Sequence, residues 1–204
     1  MSMKRLFAIM FFFMLVGWAP AVMASSGPTE ALKPTLTDIM AILSNPSLAG
    51  NEQKLVRRSK IMDIAEQGFD FQEMSKRVLG KTWKKIDSQQ REHFVGLFTK
   101  LLENVYIGKL EGYSGQEIVY KDERIKGKRA AVSTVVQDQQ MLIPVNYIMI
   151  EKDASWQVYD INIEGVSLLR NYREQFKSIL RKQKFEGLVK VLEEKNTSFD
   201  SEGS

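Results

Sequence analysis

The segment that decides the fold is residues 117–163, EIVYKDERIKGKRAAVSTVVQDQQMLIPVNYIMIEKDASWQVYDINI. Here apolar and polar residues alternate with a period of two, the spacing of a β-strand with one buried face. The candidate strands are 117–121, 129–137, 141–152 and 156–163, and they are separated by residues rich in Lys, Gly, Asp and Gln. Short polar connections of this kind favour an antiparallel meander. The sequence therefore predicts one antiparallel, mostly four-stranded sheet.

Helical patterns flank the predicted sheet on both sides. The strongest begins at the predicted N-cap Asp87, and its apolar residues recur at spacings of three and four, which indicates a broad buried stripe. They are Phe94, Leu97, Phe98, Leu101, Leu102 and Val105. An earlier helix begins at Asp70 with Glu73 three residues later, the pattern of a capping box. Downstream, Ser167 is the predicted N-cap of a helix that a shorter one follows near Phe185. The class is α+β, with the sheet packed against N-terminal and C-terminal helices.

Residues 1–24 have the three parts of a secretory signal peptide. Lys4 and Arg5 supply the positive charge, and an uncharged apolar run follows that is too short to cross a bilayer comfortably. Val22 and Ala24 then occupy the −3 and −1 positions of a small-residue cleavage site. We therefore expect a periplasmic protein, exported by a cleavable signal peptide.

The remaining chain is predicted to form a single domain over residues 25–194, followed by a disordered polar tail over residues 195–204. The chain contains no Cys, which excludes disulfides and a lipoprotein anchor. Its formal net charge is +4, of which Lys4 and Arg5 contribute two charges. This mild basicity fits brief visits to anionic membrane surfaces better than it fits nucleic-acid binding.

The residues that could support catalysis are few. His93 is the only histidine, and the absence of Cys removes thiol chemistry and thiolate metal sites. No nucleophile elbow, zinc-protease motif or phosphate-binding glycine loop is present. We predict no catalytic residue, no metal site and no cofactor. One enzymatic alternative stays open, a small enzyme without a metal that uses Asp160 or Glu164 as its base, although a strand-end Asp that binds loop amides is the simpler interpretation of Asp160.

A second alternative is an adaptor that recruits envelope proteins through a basic helix. The helix after Ser167 carries the cationic residues Lys177, Arg181, Lys182 and Lys184. Such a group is more often a solvated face. Charge reversal there tests the adaptor hypothesis, because it should impair partner binding.

Apolar residues on the predicted strands form continuous faces. Val132, Thr134 and Val136 share one face of the second strand, as do Val145, Tyr147 and Met149 on the third. Periodicity alone does not distinguish side chains that fill a core from side chains that line a cavity.

An ordered series of residues over about 30–193 resembles the MlaC (toluene-tolerance) family of periplasmic phospholipid-binding proteins, which belongs to the maintenance-of-lipid-asymmetry pathway. The matching residues are Phe69-Asp70-Phe71, Met74, Leu79-Gly80, Trp83, Gln90-Arg91, Phe94, Phe98, Leu101-Leu102, Tyr106, Val145, Tyr147, Trp156, Val158, Asp160, Glu164-Gly165-Val166-Ser167, Asn171-Tyr172-Arg173, Gln175-Phe176 and Leu180. The series, and above all its closing block, is more specific than any single match.

The resemblance implies a soluble phospholipid carrier that shuttles between an outer-membrane lipoprotein–porin complex and an inner-membrane ABC transporter complex with a lipid-binding ring. It implies that sheet and helices enclose the acyl chains in an apolar cavity, with the head group at the mouth. The cargo could also be another lipid, such as a hopanoid. The predicted lipid-binding residues are Trp83, Phe94, Phe98, Leu101, Tyr106, Val132, Thr134, Val136, Val145, Tyr147 and Met149.

Physical chemistry makes such a carrier reasonable. Each buried methylene contributes roughly 0.8 kcal/mol, so acyl chains with about thirty methylenes cost on the order of 20 kcal/mol to leave in water. Crossing an aqueous gap then requires a concave apolar lining that replaces the bilayer. It does not require covalent chemistry.

Overall fold

The structure is a computed structural model that describes residues 26–107, 110, 115–137 and 141–202. The predicted signal peptide lies outside the described residues. The helices are α1 (Pro28–Leu43), α2 (Lys54–Gly68), α3 (Phe71–Leu79), α4 (Ser88–Leu102) and α5 (Leu168–Glu202). A π-helix, Glu103–Ile107, continues α4, and short 3-10 helices occupy Pro46–Leu48 and Thr82–Lys84.

The sheet confirms the predicted antiparallel meander. Its strands are β1 (Glu117–Lys126), β2 (Arg129–Gln137), β3 (Leu142–Lys152), β4 (Ser155–Ile163) and the two-residue β5 (Val166–Ser167), hydrogen-bonded in chain order. The first strand extends five residues beyond its predicted end. A bulge between Tyr120 and Asp122 breaks the alternation of apolar and polar residues in this strand. The charged residues that follow pair with β2, but without that alternation they were not predicted to be part of the strand.

The two faces of the sheet carry different helices. On the first face, which we call the inner face, Leu32 and Leu36 of α1 pack with Val132, Tyr147 and other strand residues. On the opposite, outer face, Ile148 and Tyr159 pack with the helices that follow and precede the sheet. The predicted α+β class, with one sheet packed against N-terminal and C-terminal helices, is therefore confirmed.

Helices α3, α4 and α5 form a second hydrophobic core, here called the helical core. Phe98 makes edge-on ring contacts with Tyr172 at 5.3 Å and with Phe176 at 5.8 Å, measured between ring centroids. Phe94 stacks on Phe98 at 5.9 Å, and both rings are fully buried. The apolar stripe of α4 thus fills a densely packed interior.

Helix caps fix the starts of α3 and α4. The Asp87 carboxylate accepts from the backbone N–H of Gln90 at 2.8 Å, and the Gln90 side chain accepts from the backbone N–H of Asp87 at 3.1 Å, a complete capping box. Asp70 also caps its helix, because its side chain accepts from the backbone N–H of Glu73 at 2.8 Å. The second bond of the predicted capping box, from the Asp70 N–H to the Glu73 side chain, does not form. The Asp70 N–H donates instead to the carbonyl of Val158 at 2.8 Å. This bond attaches the start of α3 to β4.

The last helix contains a break and extends further than predicted. Lys184 has φ 58° and ψ −162°, so α5 consists of two helical segments, as the sequence predicted. The prediction of a disordered tail at 195–204 is wrong for residues 195–202, which continue the second segment. The reason is packing: Asn196 is buried and donates to the carbonyl of Leu97 at 3.0 Å, and Phe199 packs on the helical core.

Candidate functional site

An apolar cavity of about 130 Å³ lies where the inner face of the sheet meets α2 and the end of α4. It is lined by Ile39, Ile61, Met62, Ala65, Phe69, Phe71, Met74, Leu102, Glu103, Tyr106, Ile107, Leu110, Ile161 and Leu168. These side chains come from the edges of both cores and from a small cluster of isoleucines between α1, α2 and the π-helix. The cavity therefore sits at a junction that no single cluster fills.

The π-helix supplies the polar part of this lining. A π turn holds one residue more than an α turn and frequently occurs at functional sites. Here it brings Glu103, Tyr106 and Ile107 to the cavity wall. Burial raises the pKa of Tyr172 above its ordinary value, and a hydrogen bond with the neighbouring Tyr106 raises it further. The π-helix is thus attached to α5 through the hydrogen bond between Tyr106 and Tyr172.

A polar network ties α2 to the π-helix beside the cavity. The Arg58 Nε donates to Glu103 Oε1 at 3.2 Å, and its Nη2 donates to Asn104 Oδ1 at 2.5 Å. Asn104 Nδ2 reaches Asn196 Oδ1 at 3.5 Å, which extends the network to the end of α5. The Arg58 and Glu103 side chains are only 15% and 16% exposed, so this link is shielded from water. It holds two walls of the cavity together.

A polar surface groove of about 590 Å³ adjoins the cavity. The two spaces share Met62, Phe69, Phe71 and Glu103 as lining residues. The groove adds polar side chains, namely Glu66, Asp70, Gln72, Thr99, Lys100 and Gln157. An apolar interior next to a polar opening is an arrangement that suits an amphiphilic ligand.

The predicted lining residues fall into three groups in the structure. Tyr106 lines the cavity. Tyr147 and Val145 belong to the inner face, where Tyr147 is the cross-strand partner of the cavity residue Ile161 and Val145 is the partner of Ile163. Burial raises the pKa of the Tyr147 hydroxyl far above its ordinary value, and the adjacent Tyr120 adds to the effect.

The other predicted residues lie further from the cavity. Val132, Thr134, Val136 and Met149 continue the inner face beside Val145 and Tyr147. Trp83, Phe94, Phe98 and Leu101 belong to the helical core. The lipid-binding role of this set stays a prediction.

Sequence reasoning missed most of the residues that do line the cavity. Those on α2 are Ile61, Met62 and Ala65, and this helix has a weak apolar pattern with many charged residues. Ile161 shows the alternation of any strand residue. The one usable signal is Phe69-Phe71, two aromatic residues that flank the N-cap Asp70 and stack at 6.1 Å.

The size of the cavity limits what fits without movement. An engineered cavity of about 150 Å³ binds a benzene molecule, so 130 Å³ accommodates only a short part of an acyl chain. The apolar surface continues on the inner face through Ile118, Val136 and Ile143, which are half-buried. A longer chain would extend along this strip or displace α1 and α2 from the sheet.

The residues of the enzymatic alternative have structural partners. Asp160 accepts from the Ser167 hydroxyl at 2.6 Å and from the backbone N–H of Leu169 at 3.0 Å, so it caps α5. Glu164 lies exposed in the turn after β4 with φ 50°. His93 is half-exposed and contacts Glu193 at 3.1 Å.

Among the His, Asp and Glu side chains of the described residues, no three come together in a way that could hold a metal ion. In the same residues no helix has the length and apolar character needed to cross a membrane.

Comparison with known proteins places this architecture in a family. The MlaC protein family matches residues 33–194. An intermembrane phospholipid transport system binding protein, MlaC, from Haemophilus influenzae is 25% identical over 171 residues, which cover 81% of this chain and 78% of that protein. A phospholipid-binding protein from Ralstonia solanacearum, solved in complex with a phospholipid, has a TM-score of 0.78 and 25% identity, and the match covers 86% of this chain and 99% of that one. With a family match over most of its length and this structural similarity, the chain belongs to the MlaC family.

Proposed function

We propose that this protein is a periplasmic carrier of phospholipid that holds the acyl chains of its cargo at the apolar cavity. The observation that carries the proposal is the junction of α2, the π-helix and β4, where an apolar hollow adjoins a polar groove. The Haemophilus and Ralstonia relatives, named for phospholipid transport and phospholipid binding, support the same assignment. The head group would occupy the groove and the acyl chains the hollow.

The cavity must widen to accept a whole lipid. The wall formed by α1 and α2 is the part to move. Apolar contacts of Leu32 and Leu36 hold α1 on the sheet, whereas a few specific bonds attach α2 and the start of α3 to the sheet and the π-helix. These are the Arg58 network, the bond from the Asp70 N–H to Val158, and an ion pair between Lys152 and Asp70. Breaking them exposes the strip on the inner face while the helical core keeps its packing. Loading and release then proceed by a change of shape, without catalysis.

We further propose that the carrier moves lipid between an outer-membrane lipoprotein–porin complex and an inner-membrane ABC transporter complex. This follows from family membership and from the predicted signal peptide. Non-covalent transport fits the partners of Asp160, whose carboxylate is engaged in capping α5. The protein needs no cofactor for this work, since the phospholipid is cargo.

Lipid extraction tests the proposal directly. Protein purified without detergent should carry phospholipid, identified by mass spectrometry and counted as phosphorus per protein. Ala65→Leu, which adds three carbons inside the cavity, should lower this count about fivefold or more and leave the helical content unchanged. Ala41→Leu is the matched control, because Ala41 is exposed on α1 and the change adds the same atoms outside the cavity.

Two outcomes contradict the carrier proposal, and a third changes its cargo. Wild-type protein without bound lipid that also takes up none from vesicles removes the basis for a carrier. Equal lipid content in Ala65→Leu and Ala41→Leu removes the cavity from lipid binding. A hopanoid in the extract in place of phospholipid keeps the carrier and changes the cargo.

A further inference from the structure

Another pocket lies on the outer face of the sheet, opposite the face that borders the apolar cavity. It has a volume of about 580 Å³ and lies between β3, β4, α3 and the first turns of α5. Its floor includes Ile148 and Tyr159, which point away from the inner face. Its walls carry three arginines, Arg77, Arg170 and Arg173. Neither the cavity nor the groove shares any of these residues.

The positive charge of the three arginines exceeds the negative charge of the carboxylates around them. Arg77 Nη2 contacts Glu73 Oε1 at 2.7 Å, but Glu73 also binds Lys76 at 3.0 Å, so one carboxylate serves two cations. The Arg170 and Arg173 side chains form no ion pair or hydrogen bond with the residues that the structure describes.

The two carboxylates of the pocket have other partners. Asp160 is hydrogen-bonded to Ser167 and to the start of α5, where the helix dipole offsets its charge. Glu174 pairs with Lys177 at 3.5 Å. The pocket therefore has an excess of positive charge.

One of the three guanidinium groups is held in a fixed orientation. The Arg77 guanidinium lies 3.9 Å from the centroid of the Tyr159 ring, a close cation–π contact, and Tyr159 is 8% exposed. The Arg77 Nε is buried and has no hydrogen-bond partner. A buried donor without a partner is uncommon and calls for an explanation. An anion in the pocket would give the Arg77 guanidinium an acceptor in addition to Glu73.

We propose that this pocket is an anion site that binds a phosphate group. Guanidinium groups present paired N–H donors in a planar fork, and phosphate offers enough acceptor oxygens to engage more than one fork. A carboxylate, with two oxygens, is matched by a single fork. The phosphate is either free in solution or part of an anionic lipid head group at a membrane surface. The site is independent of the cargo cavity, so it does not rest on the proposed carrier function.

Titration of the full protein with inorganic phosphate, followed by calorimetry, tests this site. The variant carries Arg170→Gln and Arg173→Gln together, and the control carries Arg181→Gln, because Arg181 is an exposed arginine on the same helix but outside the pocket. The double variant should bind phosphate about tenfold or more weakly, whereas the control should keep the wild-type affinity. Both should keep the wild-type lipid content, which separates this site from the cavity. If the double variant does not fold, Arg173→Gln alone provides the same comparison.

Sedimentation with phosphatidylglycerol vesicles identifies the source of the phosphate. Vesicle binding that the double variant loses and Arg181→Gln keeps points to a head group, and phosphate binding without vesicle binding points to a free anion. Three results would overturn the proposal: wild-type protein that binds neither probe, an equal loss in the Arg181→Gln control, and an oligo-aspartate peptide that binds at the pocket and is not displaced by phosphate.

Discussion

The helical core and the cavity region are built from similar apolar residues, yet one interior is filled and the other is hollow. In the helical core, Phe94, Phe98, Tyr172 and Phe176 make ring-to-ring contacts within 6.2 Å. Around the cavity, shorter side chains such as Ile61, Ala65 and Ile161 face one another across about 130 Å³ of space. Aromatic rings on facing helices close the first interior. The cavity wall also holds Phe69, Phe71 and Tyr106, but these rings and the shorter side chains beside them leave a hollow between them.

The two regions also differ in how their walls are attached. The helical core depends on packing between long helices. The cavity walls combine the apolar contacts of α1 with polar bonds at their edges, above all the Arg58 network and the bond from the Asp70 N–H to the carbonyl of Val158. Packing resists opening uniformly, whereas a few polar bonds can be broken and remade. The frame of the molecule is therefore separable from the part that changes shape.

The largest expected loss of stability comes from removing an aromatic ring from the helical core. Phe98→Ala should lower the free energy of unfolding by about 3–5 kcal/mol, because it removes a fully buried ring and leaves a void. Phe71→Ala, at the half-buried cavity wall, should cost less. Urea unfolding of both variants measures the difference. A smaller loss for Phe98→Ala than for Phe71→Ala would contradict the distinction between the two regions.

A second variant separates the two helices of the cavity wall. Gly68 ends α2 against Thr35 of α1, and a Cβ at Gly68 would overlap the Thr35 side chain. Gly68→Ala should therefore destabilise the protein by about 1–3 kcal/mol through overpacking. The double variant with Thr35→Ala should recover much of that loss, because the clashing atoms are gone. Thermal unfolding checks this coupling, and purely additive losses would show that the contact is unimportant.

A third variant breaks the polar link between α2 and the π-helix. Arg58→Met removes the donor to Asn104 Oδ1 and leaves Glu103 with Lys100 as its remaining cation, which should cost about 1–3 kcal/mol. The same change should speed transfer of lipid from the protein to acceptor vesicles, measured with a fluorescent phospholipid. Lys60→Met is the control, because Lys60 is exposed on the same helix. Unchanged transfer in Arg58→Met would mean that this link does not control opening.

The smallest effect concerns pH. Burial raises the pKa of Tyr147 above its ordinary value of 10.0, so above that pH the unfolded chain loses a proton that the folded protein keeps. Stability contributed by the neutral hydroxyl is complete below pH 10.0 and is lost as the pH rises further, by about 1.4 kcal/mol per pH unit. Tyr147→Phe should reduce this alkaline loss, although Tyr172 retains its own share. Denaturation curves at neutral pH and near pH 11 compare the two proteins, and identical alkaline losses would place the Tyr147 hydroxyl in water.

The sequence was sufficient to predict the strands of the sheet and the starts of three helices. Period-two alternation predicted four strands in the correct order, and Asp70, Asp87 and Ser167 correctly marked the starts of helices. These features depend on local chemistry, which neighbouring residues determine. The tail was mispredicted because its polar residues are held by contacts with α4, about one hundred residues away in the chain.

The candidate site was less predictable for a physical reason. Phe94 and Ile161 both belong to regular apolar patterns. Neither pattern indicates whether the side chains on the facing element are large enough to fill the space opposite. That depends on the sizes of side chains brought together from α1, α2, the π-helix and β4. The cavity is a property of the assembled elements, so the residues of any single element do not reveal it.

The meander has a consequence for how the molecule is assembled. Each long strand pairs with the next one along the chain, so the sheet closes only short loops. The wall that α2 and α3 form against β3 and β4 instead joins residues that are 82 and 90 positions apart. Closing such long loops is slower, so the sheet can organise before the hollow beside it exists. A newly synthesised chain would then gain its capacity for lipid late in folding, after the sheet that supports the cavity is in place.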